Sequence, residues 1–140
     1  MINSGLKAEI MTFVKYYDSH GKAVGVVLQG GYARGTAART SDIDLVFLFT
    51  DQIAAAGLEI GSFQFKDYSY DVRHCYLDNL VVEQWPSKVR YIYSEETVIL
   101  YDQLGAVAKV VEKSKMTALE QKQVAVYAIK KLSIRGVTYQ

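Results

Sequence analysis

The sequence predicts an α/β (α+β) fold, a small mixed, centrally twisted β-sheet flanked by helices. Three features predict it. A helix-period apolar stripe opens the chain, two apolar strand segments flank a Gly30-Gly31 turn, and two alternating segments meet at Lys66-Asp67. The first helix is capped by Asn3 or Ser4, presents Leu6, Ile10, Phe13, Val14 and Tyr17 on one side, and stops at Gly21. Residues 23–29 form the first strand, and the glycine turn leads into a short helical stretch. Residues 43–49 are apolar on both faces after Asp44, the mark of a central strand covered on two sides. Residues 58–65 and 69–77 pair antiparallel around the Lys66-Asp67 turn. Asp78 is expected to cap a helix running through Trp85, where Pro86 interrupts it. Residues 98–101 form a short strand, and Asp102 to Gly105 turn into a helix over 106–113. A final helix starts at Thr117 with a capping box to Glu120 and runs to about Leu132.

Composition narrows the function. With 140 residues, 50% of them hydrophobic, the chain supports one compact core. Its formal charge of +1 argues against wrapping long nucleic acid, which calls for a strong basic patch, and favours a small acceptor. A single cysteine excludes an internal disulfide and suits a reducing cytoplasm. Residues 1–17 mix charges among apolar positions, so neither a signal peptide nor a membrane span is expected. The Gly-Lys-Ser or Gly-Lys-Thr of a P-loop and the spaced glycines of a Rossmann turn are both missing. His74 and Cys75 are adjacent on a strand and face opposite ways, which excludes a Cys/His dyad.

The chemistry concentrates in LQGGYARGTAARTSDIDLVFLF. A strand ends in Gly30-Gly31, ten residues follow, and Asp42-Ile43-Asp44 opens the next apolar run. On a strand, Asp42 and Asp44 share one side while Ile43 points into the core. Paired carboxylates suit Mg²⁺, a hard cation held by one or two carboxylates together with substrate phosphates. Gly30 and Gly31, without Cβ atoms, let backbone N–H groups approach those phosphates. Arg34 presents a planar fork of donors for phosphate, with Arg39 in reserve.

This pattern resembles the nucleotidyltransferase superfamily related to DNA polymerase beta. Ala33-Arg34-Gly35 and Ser41-Asp42-Ile43-Asp44-Leu45 look most like its small bacterial antibiotic-type and minimal nucleotidyltransferases. The resemblance implies a third carboxylate on a later strand. Asp71, in YSYDVRHCYL, is the residue expected there, with pairing to Arg73 as the structural alternative. Gly31 stands where many relatives carry Ser, so backbone amides or the hydroxyls of Thr36, Thr40 or Ser41 are expected to serve the phosphates. The Ile99-Leu100-Tyr101-Asp102 segment looks like the one that closes the family's core. The expected division is a catalytic core over 1–115 and a helical extension over 116–140 that packs on the core or on a partner.

The resemblance implies a cytoplasmic, Mg²⁺-dependent enzyme with two ions in the active complex and Mn²⁺ as a substitute. It would move a nucleoside monophosphate, AMP from ATP, onto a hydroxyl of a small molecule or protein. Asp42, Asp44 and Asp71 would hold metal and act in catalysis, with Gly30, Gly31, Arg34, Thr36 and Ser41 on the nucleotide. The alternative expectation is an antitoxin or interaction module of the same fold that binds, and can adenylylate, a helical partner protein. The apolar stripe of Val124, Ala125, Ala128, Ile129 and Leu132 favours a homodimer or such a partner.

Overall fold

A computed structural model of the protein describes residues 2–38 and 40–115. The Asn3 Oδ1 atom accepts from the Leu6 N–H at 2.7 Å, which starts helix α1 (Ser4–Tyr17). Its Ile10, Phe13, Val14 and Tyr17 are buried, as the stripe predicts. Past the helix, the Asp18 carboxylate accepts from the Lys22 and Ala23 amides, both at 2.9 Å, and turns the chain toward the sheet.

The remaining elements are β1 (Gly25–Gln29), α2 (Gly30–Arg34), β2 (Ile43–Phe49), β3 (Gly61–Phe65), β4 (Tyr68–Tyr76), α3 (Ser87–Glu95), β5 (Val98–Asp102) and α4 (Ala106–Ser114). A 3₁₀ turn, Val82–Gln84, precedes α3. The five strands are ordered β3-β4-β2-β1-β5. β2 and β4 run parallel, and the other neighbours are antiparallel, so the sheet is mixed.

Alternation divides the core. Leu45, Phe47 and Phe49 of β2 join Tyr70 and Val72 of β4 under α1. Val46 and Leu48 turn the other way, to Cys75, Tyr93 of α3 and Val107 and Val110 of α4. β2 is thus covered on both faces. The Phe13 and Tyr70 rings stack with centroids 3.9 Å apart, fastening α1 to β4. The Asp102 carboxylate accepts from the Val107 amide at 2.8 Å and the Ala108 amide at 3.0 Å, which explains where α4 begins.

One expectation fails. Asp78 does not open a helix through Trp85: its amide donates to the Thr50 carbonyl at 3.0 Å and prolongs the strand pairing. The helix forms after Pro86, whose fixed φ of −53° and missing N–H suit the residue just before a helix. Trp85 packs on Tyr93 of that helix, with centroids 4.8 Å apart. Glu95 is the last residue of that helix and Glu96 is its C-cap. The helix expected from Thr117 to Leu132, with its apolar stripe and the extension over 116–140, lies outside the described residues. No described helix is long and apolar enough to cross a membrane.

Phe13 is fully buried against five aromatic rings, so Phe13→Ala should cost about 3–5 kcal/mol of stability by chemical denaturation. A loss below about 1 kcal/mol would mean that α1 is not seated on the sheet as described.

Candidate functional site

Three strands bring their ends into one row. Gln29, the last residue of β1, pairs with Asp44 of β2, and Asp44 pairs in turn with Asp71 of β4. Directly paired residues share a face, here the one that carries Val27, Val46 and Cys75 toward α3 and α4. Asp42 lies just before β2 and is exposed, on the same side as Asp44 by its two-residue spacing.

Gly30 covers this row. Its φ is +70°, and a Cβ placed there would collide with Asp44 Oδ2, so both backbone conformation and close approach require glycine. Gly31 has no such φ, but a Cβ there would sit 3.2 Å from Ala37 Cα. Its carbonyl accepts from the Thr36 amide at 2.8 Å and the Ala37 amide at 3.1 Å, folding the following loop back over α2.

A cavity of about 170 Å³ opens beside the row, with Gly30, Arg34, Asp44, Asp71 and Arg73 on its walls and Ile92 of α3 opposite. Asp42, Gly31, Thr36 and Ser41 are not in its lining. The Ser41 hydroxyl accepts from the Ala38 amide at 2.9 Å and closes its own loop, and Thr36 and Thr40 are exposed. Arg39 lies outside the described residues.

Sequence reasoning missed three residues in or around the site. Gln29 could have been found from strand pairing, being the last residue before the glycines. Arg73 was foreseen only as a partner of Asp71, to which its Nη2 approaches at 3.6 Å, and not as part of the cavity wall. Glu96 accepts from Arg34 Nη1 at 3.2 Å across 62 residues of sequence, a contact with no local signal.

Crowded negative charge shapes the electrostatics. Burial, then Asp71 and Asp42, push the Asp44 carboxyl above its ordinary value, while Arg73 and Arg34 pull the other way. Among the described residues no three carboxylate, imidazole or thiol groups are gathered as a ready-made metal cage.

A mixed sheet whose glycine turn leads into an Asp-x-Asp strand, with a further carboxylate in register beside it, defines a nucleotidyltransferase-type domain. The nucleotidyltransferase domain family matches residues 10–132, and the chain belongs to that family. Among solved structures, it is similar to the nucleotidyltransferase-like protein from Exiguobacterium sibiricum 255-15. That likeness has a TM-score of 0.50 at 12% identity, over 83% of this chain and 41% of that one, and shows the shared fold. A chain in the crystal structure of a toxin-antitoxin with AMP-PNP gives 0.48 at 15% identity, over 92% of this chain and 96% of that one. A chain in the complex of tri-AMPylated Shewanella oneidensis HEPN toxin with MNT antitoxin gives 0.43 at 12% identity, over 92% and 93%. No curated protein matches the sequence.

Two outcomes follow from the geometry. Gly30→Ala should destabilise the fold more than Gly57→Ala, because both have positive φ but only Gly30 faces an atom its Cβ would strike. Equal losses in thermal melts would remove the contact with Asp44. The second concerns pH. A carboxyl whose folded pKa is raised binds its proton more tightly in the folded state, so wild-type stability falls as pH rises past the ordinary aspartate value of about 3.9. Asp44→Asn should therefore be as stable as the metal-free wild type or more so at pH 7, an advantage that shrinks below pH ~4. Denaturant midpoints showing the reverse trend would contradict the charge crowding.

Proposed function

We propose that the chain is a divalent-metal-dependent nucleotidyltransferase that moves a nucleoside monophosphate, AMP from ATP, onto a hydroxyl of a small molecule or protein. The observation that carries this reading is the in-register pair Asp44 and Asp71 beneath Gly30, at the wall of a cavity rimmed by Arg34.

The residues fit a hard cation by donor chemistry and by charge. Two carboxylates share a face on neighbouring strands, a third lies two residues before the first, and the Asp44 carboxyl is held above its ordinary pKa first by burial and then by its like-charged neighbours Asp71 and Asp42. Asp42, Asp44 and Asp71 would hold Mg²⁺, or Mn²⁺ in its place. When bound, the metal would supply charge neutralisation for the triphosphate and a lowered pKa for the attacking hydroxyl.

The acceptor oxygen attacks the α-phosphorus, a new P–O bond forms, the bond to the bridging oxygen of the β-phosphate breaks, and pyrophosphate leaves. Asp71 takes the hydroxyl proton. Arg34 sets its guanidinium against phosphate oxygens. Gly30, without a Cβ, lets the triphosphate reach the carboxylate row, and Gly31, Thr36 and Ser41 shape the loop on its far side. The small lining makes room for phosphates and leaves the base and acceptor to the open side.

A second reading, a domain of this fold that docks a helical protein, draws on exposed apolar residues such as Val81 and Leu104. Nucleotide binding separates the two. Isothermal titration should show ATP binding that depends on Mg²⁺, and equal affinity with and without metal at matched ionic strength would favour the docking domain. Asp44→Asn should lower transfer by at least about a hundredfold, the scale of losing a major electrostatic contributor. Asp67→Asn, in the hairpin turn, should leave transfer nearly intact. If Asp44→Asn stays active while Asp67→Asn loses metal binding, the carboxylates are wrongly assigned.

A further inference from the structure

Two hydrogen bonds tie the glycine turn to the junction of α3 and β5. Gln29 Nε2 donates to Thr97 Oγ1 at 3.2 Å, and Arg34 Nη1 donates to Glu96 Oε2, also at 3.2 Å. Thr97 Oγ1 in turn donates to the Ile92 carbonyl at 2.8 Å, closing the end of the helix that supplies Glu96. The strand end that leads into the glycines and the arginine that follows them are therefore fastened to the same two consecutive residues.

Arg34 needs such a hold. It is the last residue of a five-residue helix, its side chain is 44% exposed, and arginine is among the side chains richest in rotamers. Glu96 is better placed to give direction than to receive it, with only 23% of its side chain exposed. The contact engages one nitrogen of the guanidinium and leaves the other donors of the planar fork for an anion. Glu96 is not in the cavity lining, whereas Arg34 is.

We propose that Glu96 is a positioning residue for nucleotide binding, holding the Arg34 guanidinium at the rim of the Asp44–Asp71 cavity so that a nucleoside triphosphate meets a cation already in place. This rests on the nucleotidyltransferase reading. Preorganisation of this kind raises affinity by removing the ordering cost from the binding step. Simple repulsion between Glu96 and the phosphates would act with the opposite sign, so affinity decides between them.

The test is calorimetric titration of MgATP into the full chain. Glu96→Ala should weaken binding by roughly threefold to fivefold, the upper scale for a partly exposed ion pair. Glu96→Asp keeps the charge but falls one methylene short of Arg34, and should lose a similar factor. Glu96→Gln keeps an accepting oxygen at full reach and should retain most of the affinity. In an Arg34→Ala background Glu96→Ala should add nothing. For transfer, KM for the triphosphate should rise more than kcat falls, a split that general loosening of the fold would not produce. Unchanged or tighter MgATP binding in Glu96→Ala, or an equal loss in the Arg34→Ala background, would overturn the positioning role while leaving the nucleotidyltransferase reading intact. Wild-type protein that binds no MgATP would overturn both.

Discussion

The parallel pairing of β2 with β4 is the constraint on which the rest of the structure depends. It places Asp44 beside Asp71, and it sends Tyr70 and Val72 under α1 while Cys75 faces α3 and α4. A slip of one residue would exchange those faces, burying Asp71 against Phe13 and exposing the stacked Tyr70. Hydrophobic burial on two faces therefore fixes the position of two charges that contribute nothing to that burial. A parallel pair also needs a crossover, and here the chain returns through β3, which pairs antiparallel with β4 at the sheet edge.

The carboxylate row is held against its own electrostatics. Asp44 is pressed under the Gly30 backbone and sits beside Asp71, with Asp42 nearby, and its carboxyl is raised accordingly. The charges of Arg73 and Arg34 offset part of the crowding at Asp44, and each arginine also makes a single ion pair, with Asp71 and Glu96 respectively. Partly exposed pairs of this kind stabilise a fold only weakly. Strain of this sort is supported by the surrounding core.

The fold was legible where a local pattern carries it. Residues 43–49 read as a doubly covered strand because no polar residue follows Asp44, and the hairpin read from alternation on either side of Lys66-Asp67. The stretch from Asp78 to Trp85 misled because an Asp before apolar residues resembles a helix cap, whereas the Asp78 amide is claimed by the Thr50 carbonyl of a neighbouring segment. For the site, Gly30, Arg34, Asp44 and Asp71 were readable from the motif and from strand parity, and they meet at one cavity. The Ser41 hydroxyl is spent on the Ala38 amide, a choice that depends on a loop conformation the sequence does not spell out. Glu96 was illegible as a neighbour of Arg34, since nothing in a pair of adjacent acids marks a contact made 62 residues away.

Hydrogen bonding at the opposite end of β4 reinforces the same register. Tyr17 has one hydroxyl proton and donates it to the Glu59 carbonyl at 2.6 Å, so its 2.7 Å contact with His74 Nε2 must be one in which the ring donates. With the ring neutral, Nδ1 is then the acceptor, and the Tyr76 hydroxyl at 3.1 Å supplies the proton. Burial favours that neutral ring by lowering the His74 pKa, and it also pushes the Tyr17 phenol up to about 12, so both groups keep the protons this chain of bonds needs. The network joins α1, the segment before β3 and the C-terminal end of β4, all on the face away from the carboxylates. A strand held by polar geometry at one end and by stacked aromatics along its length has little freedom to slide, and that restriction keeps Asp71 level with Asp44 at the other end.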